Sequence, residues 1–534
     1  MKLTDADSKK AYAVHLKPAV CRIDLGDGSE RGEYVDQDYI LARLGKPVHA
    51  INLMYCYYPH DETWPLRASK AFQDSDVTFA WDYPYDDYFP YLGGLGGNTE
   101  GEPFTCIREV RRHGQDVVLT LTMDPTLSDE EIEAVARDLI PFGRLQIRIN
   151  HEATGTWFSF NKRATYPEVA QFFARCAEIF HRTAPHIQVI LCLEGIGSPE
   201  EEKIKMEDEF LPAILAADVE SVDRYLALHW GWPFDVADAD TDRYARYPLE
   251  GVCAMMKKSA ARYDELCGKH KPMVLSELNA DGDVVGPWEQ AQMLEEFAAL
   301  LKDDPDKWLD SFTLYQFRDR GRLGLELEDP NNPGVGIPWP LMDTFIRLIH
   351  DPYFSASIEK GISEGSRGRL TGAPEDADLM TLRWGGSEDA DGIALPIDFP
   401  GRPVFCEAYF EESCADLNLM LELGGVWFYK APGVTCVDLI RAFFLQDSEG
   451  AKFAAAHPEG FTLPLHIFAP PADGANRKLA PDAVPGFHLA EDDYLTNAFT
   501  RLPALPRIRV RTKPIVEKVA ELQKKETAEQ EEQG

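Results

Sequence analysis

From residue 47 to 349 the chain alternates short apolar runs with amphipathic stretches, and few folds accommodate that rhythm. Residues 47–58, 116–123, 187–193, 224–229, 272–278 and 311–317 read as strands. So does the run from Arg144, where Leu145, Ile147 and Ile149 alternate with polar residues. Between them lie helical patterns. Ser128-Asp-Glu-Glu131 supplies a capping serine with acids in the first turn, and that helix is expected to run to about residue 140. Residues 166–182 place Val169, Phe172, Phe173 and Ile179 at helical spacing. Residues 201–217, 249–267, 288–301 and 340–349 read as helices too. Seven or eight strand–helix units over roughly 300 residues predict an α/β fold with a parallel sheet. A closed (β/α)8 barrel fits better than an open doubly wound sheet, because no Gly-x-Gly-x-x-Gly follows any strand to mark a dinucleotide crevice.

Past Phe354 the texture changes. Residues 355–378, rich in Gly, Ser and acids, read as a linker. Short β-like runs with turn residues follow, at 379–384, 392–397, 404–410, 417–423, 426–429 and 461–468. The expected organisation is a barrel over 1–354, a linker over 355–378, an all-β, sandwich-like domain over 379–512 and a charged tail over 513–534.

The formal net charge of −36 argues against a nucleic-acid partner, which would want the opposite sign. No apolar run is long enough to span a bilayer, and the polar start MKLTDADSKK predicts a cytoplasmic protein. The ten cysteines are scattered without Cys-x-x-Cys, and several, such as Cys192 in Val-Ile-Leu-Cys-Leu, sit in apolar runs. They predict buried free thiols rather than disulfides or a zinc site. The Tyr- and Asp-rich stretch 81–98 is too irregular and too poor in His for a metal site. Neither a metal nor another cofactor is expected.

Chemistry is concentrated where two strands end. The run from Arg144 stops at His151-Glu152, then enters a small-residue loop with Trp157, Phe158 and Phe160. Far along the chain, Met273-Val-Leu-Ser-Glu277 ends in a second glutamate. Carboxyl ends of strands form the catalytic rim of such barrels, and two carboxyls facing each other there suit a glycosidase. In an extended strand Arg148, Asn150 and Glu152 share a face and point into the mouth, while His151 faces away. Trp157, Trp230 and Trp232 are candidate platforms for sugar rings. His229 reads equally as a substrate ligand or a structural histidine. Tyr315, at the end of the last strand, floors a subsite or is a core residue.

Arg148-x-x-His151-Glu152-x-x-Gly155-x-Trp157-Phe158 resembles the acid/base strand of glycoside hydrolase family 26, the β-mannanases and relatives. Lys271-Pro-Met-Val-Leu-Ser-Glu277 is similar to the nucleophile strand of the same clan of retaining (β/α)8 enzymes. The resemblance covers roughly residues 45–350. It implies Glu152 as acid/base, Glu277 as nucleophile, and His151 and Arg148 as groups that position or polarise the carboxyls. It implies a carbohydrate substrate and a retaining mechanism. The chain departs from the family at Thr154, where Asn is usual, and near Ser159 and Phe160, which lack another Trp. It departs also at the sixth strand, which usually ends near a Tyr contacting the nucleophile and here runs into His229-Trp230-Gly-Trp232. These departures motivate an alternative: a non-catalytic glycan-binding protein on a degenerate glycosidase barrel.

Overall fold

The structure is a computed structural model. It describes residues 3–4, 11–26, 35–73, 89–156, 158–229, 244–246, 248–319, 323–329, 331–332, 334–360, 380–384, 390–445, 448–470, 498–502 and 505–532.

Eight parallel strands close into a barrel. They are β1 (Arg22–Gly26), β2 (Ala50–Tyr57), β3 (Asp116–Met123), β4 (Leu145–Ile149), β5 (Ile187–Cys192), β6 (Val219–His229), β7 (Met273–Ala280) and β8 (Ser311–Leu314). Each pairs with the next, and β8 pairs back to β1, which closes the ring. β2, β3 and β7 are buried at every position, because the interior covers one face and helices the other. Inside, Ala50, Val118, Ile190, Val219 and Val274 form one apolar layer. Two residues further along their strands the lining turns polar: Thr120 Oγ1 donates to Asn52 Oδ1 at 2.9 Å, and Arg148 Nε donates to Thr120 Oγ1 at 2.8 Å. The site is built on this polar layer.

The helices begin where local chemistry starts them. Ser128 and Glu131 form a reciprocal capping box at the head of Asp129–Leu139. Glu168 accepts from the Thr165 N–H at 2.8 Å at the head of Tyr166–Thr183, which buries Val169, Phe172, Phe173 and Phe180. The boundaries follow the sequence reading to within about three residues, except that β1 was not read as a strand and that β6 starts at Val219 rather than 224 and thereby takes in Asp223.

The antiparallel sheets lie mainly in the C-terminal region. One has six strands in the order Ser357–Lys360, Tyr12–Lys17, Asp391–Phe399, Phe461–Phe468, Leu419–Leu423, Val426–Lys430. A second has four, Leu3–Thr4, Arg507–Arg511, Phe405–Tyr409 and Cys436–Asp438, and a separate two-stranded sheet pairs Met380–Trp384 with Ala498–Leu502; the six- and four-stranded sheets face each other. Ile393, Leu395, Cys406, Ala408, Leu465 and Ile508 share one core between them, as in a sandwich. The other face of the six-stranded sheet packs on the barrel: Val14, Ala394, Met420, Trp427 and Phe468 cluster with Leu41 of helix Gln37–Leu44. The strand at residues 12–17 therefore belongs to these sheets in space, although it precedes the barrel in sequence. Of the expected linker, residues 361–378 lie outside the described residues. The tail forms a solvent-exposed helix, Ile515–Glu532. No helix among the described residues is long and apolar enough to cross a membrane.

Candidate active site

The carboxyl end of β4 departs from extended geometry at once. Asn150 has φ 51° and Glu152 has φ 46°, both left-handed and neither a glycine. Asparagine tolerates that region; a longer side chain pays about 1–2 kcal/mol for it. Strain of this kind is retained where surrounding structure enforces it, often at functional sites. It also corrects the strand-based reading of His151. Alternation fails beyond Ile149, so His151 turns inward instead of away. Its Nε2 stands 2.9 Å from Glu277 Oε1 and 2.9 Å from Asp223 Oδ2. The contact with Asp223 lacks hydrogen-bond geometry, so His151 is held there by charge.

Glu277 sits near the end of β7, just past a register shift after Leu275 that sets it opposite Asp223 of β6. It is largely buried, and both of its oxygens are located. His151 approaches Oε1, and the Tyr225 hydroxyl donates to Oε2 at 2.7 Å. The sixth-strand departure read from the sequence is thereby corrected: a tyrosine does contact this carboxyl, from within β6 rather than beyond its end. Asp223 and Tyr225, two apart on one strand, share a face; with the strand read from 224, that pairing did not show in the sequence.

Arg148 is fully buried, with Nη2 unbonded among the described residues, and it adds positive charge to the same space. Asn150 is buried too, and its Oδ1 accepts from the Met123 N–H at 2.7 Å, tying β4 to the end of β3. Glu152 is partly exposed, and its carbonyl accepts from the Gly155 N–H at 2.6 Å. Tyr315 is nearly buried, packed with Met54 and Leu323 and edge-on to Tyr225 at 6.4 Å, so it supports the ring that holds Glu277. Phe158 lies edge-on to His151 at 5.8 Å. Trp157, Trp230, Trp232 and the side chain of His229 lie outside the described residues.

The electrostatics form one connected problem. Burial is the largest single influence on His151 and works against its charge, as does Arg148; Asp223, Glu277 and Cys192 together outweigh them, and the net result is a histidine held well above its usual range. Burial would likewise raise Asp223, yet His151, Arg148 and the Cys192 thiol together hold it below the usual carboxylate range. His151, Cys192 and Asp223 bring potential metal-ligating atoms within 4.8 Å of one another. The guanidinium of Arg148 shares this space, and its charge works against a bound cation.

No family model matches the chain, and no curated protein matches it. Among solved structures it is similar to a GH26 β-mannanase from Bacteroides ovatus, at 12% identity over 63% of this chain and 90% of that one, with a TM-score of 0.37. It is also similar to a family 51 α-L-arabinofuranosidase from Bifidobacterium longum, at 10% identity over 88% and 99%, with a TM-score of 0.41. A glucosidase from Croceicoccus marinus matches at 11% identity over 85% and 96%, with a TM-score of 0.39. At such identities and scores the barrel stands on its own strand pairing, and the chemistry on its own residues.

Proposed function

We propose that the chain is a retaining β-glycoside hydrolase acting on oligo- or polysaccharide. The observation that carries this reading is the setting of Glu277: a carboxyl at the carboxyl end of a barrel strand, with His151 at one oxygen and the Tyr225 hydroxyl at the other. A carboxyl held at both oxygens is suited to attack along one fixed line. Glu152 lies just past the end of β4. In the reaction, Glu277 attacks the anomeric carbon while Glu152 gives its proton to the departing glycosidic oxygen. Glu152 then takes a proton from water, which displaces Glu277 and releases the sugar with its original anomeric configuration. Arg148 adds charge to the pocket, and Trp157, Trp230 and Trp232 are proposed as sugar platforms. No cofactor takes part in these steps.

The alternative of a degenerate, non-catalytic barrel loses one of its motives, since Tyr225 supplies the contact that the end of the sixth strand lacked. Turnover decides between the two. Aryl β-glycosides and manno- and gluco-oligosaccharides are expected to be hydrolysed, with NMR showing the β-anomer as first product. Absence of turnover across the panel favours the binding protein, and an α-anomer as first product excludes the two-step mechanism.

A further inference from the structure

Cys192 is the last residue of β5 and is fully buried. The sequence presents it as one more thiol in an apolar run, and no step above uses it. In the barrel its Sγ lies 3.6 Å from Asp223 Oδ1, within reach for a thiol donor. Asp223 is thus held at both oxygens, by Cys192 at Oδ1 and by His151 at Oδ2. A line of contacts therefore runs from Cys192 through Asp223 and His151 to Glu277.

We propose that Cys192 is a positioning residue for the nucleophile: its S–H fixes the Asp223 carboxylate, and Asp223 in turn fixes where His151 presents its proton to Glu277. The inference rests on the glycosidase reading above. The ionisable groups around the thiol are Arg148 and His151 from β4 and its end, Asp223 from β6 and Tyr263 from helix Leu249–Cys267. Tyr225 and Glu277 lie at the far end of the line. Burial and the negative charge of Asp223 push the thiol above its usual range, so it remains a donor wherever Asp223 is ionised. A thiol is a weak donor, but a buried carboxylate oxygen that loses a donor is costly to leave bare.

The test compares wild type with Cys192→Ser, Cys192→Ala and Cys192→Val in the pH profile of kcat/KM on an aryl β-glycoside. Without the donor, Asp223 takes a proton at higher pH, and His151 then loses its anion. The acid limb is expected to move up by about 0.5 to 1 pH unit in both the Ala and the Val variants. Their kcat is expected to fall about tenfold with KM nearly unchanged. Cys192→Ser retains a donor and is expected to keep the wild-type limb. Val fills the space that Ala leaves empty, so a folding defect confined to Ala leaves the test intact. Ala and Val profiles that overlay wild type, or a Ser profile displaced as far as Ala, overturn the inference while leaving the glycosidase reading in place. A wild type with no turnover removes both.

Discussion

Glu277→Ala protein supplied with azide and an activated β-glycosyl fluoride is expected to yield the α-glycosyl azide, and Glu152→Ala protein the β anomer. The contrast follows from the step each carboxyl performs. Without Glu277 a gap opens below the anomeric carbon, and azide entering it displaces fluoride directly, with one inversion. Without Glu152 the nucleophile remains. Fluoride needs little protonation to leave, so the glycosyl-enzyme still forms, and azide replaces water in the second step. Two inversions then return the β configuration. On unactivated oligosaccharide both variants are expected to lose roughly 10⁴-fold or more in kcat, without additivity in the double variant, because the two groups act as a unit. Product analysis by NMR reads the anomer. The same anomer from both variants contradicts the assignment, as does rescue of neither.

Asp223→Asn is expected to be the most damaging substitution for stability among the site residues. It leaves the imidazolium of His151 buried, with Arg148 beside it and Glu277 as the remaining carboxylate in contact among the described residues. Removing one partner of a buried ion pair costs about 3 kcal/mol. The dependence on pH has a definite sign. His151 is raised in the folded chain, so its contribution is fully present below its unfolded pKa of about 6.5 and is lost as pH rises through the folded value. Asp223 is lowered, so its contribution is fully present above about 3.9 and is lost as pH falls through the folded value. The gap in melting temperature between wild type and Asp223→Asn should therefore be widest from about pH 4 to 6.5 and narrow on the alkaline side. Calorimetry across that range checks it. A gap that is constant with pH assigns the loss to packing rather than to the pair.

The barrel was readable because its strands are short, apolar and separated by well-capped helices: Asp116–Met123 and Leu249–Cys267 fall where the pattern puts them. Glu152 and Glu277 were readable as acids at strand ends. Asp223 was not, because the barrel interior at this level is polar. Val-Glu-Ser-Val-Asp reads as a loop, although Val219, Glu220, Ser221 and Val222 are all buried in β6. The inward turn of His151 was hidden for another reason. It depends on left-handed backbone at Asn150 and Glu152, and nothing in the residue types announces φ values that surrounding structure imposes. The place of the strand at residues 12–17 beside Asp391–Phe399 was hidden too, since pairing across most of the chain leaves no local pattern.

The central claim is that Glu277 becomes covalently bonded to the sugar. A 2-deoxy-2-fluoro β-glycoside with a good leaving group slows both steps but spares formation of the intermediate, so the adduct accumulates. After incubation and digestion, mass spectrometry is expected to find the fluoroglycosyl group on the peptide containing Glu277, with activity lost in step with labelling. Active protein that forms no adduct, or carries it on any other residue, contradicts the account.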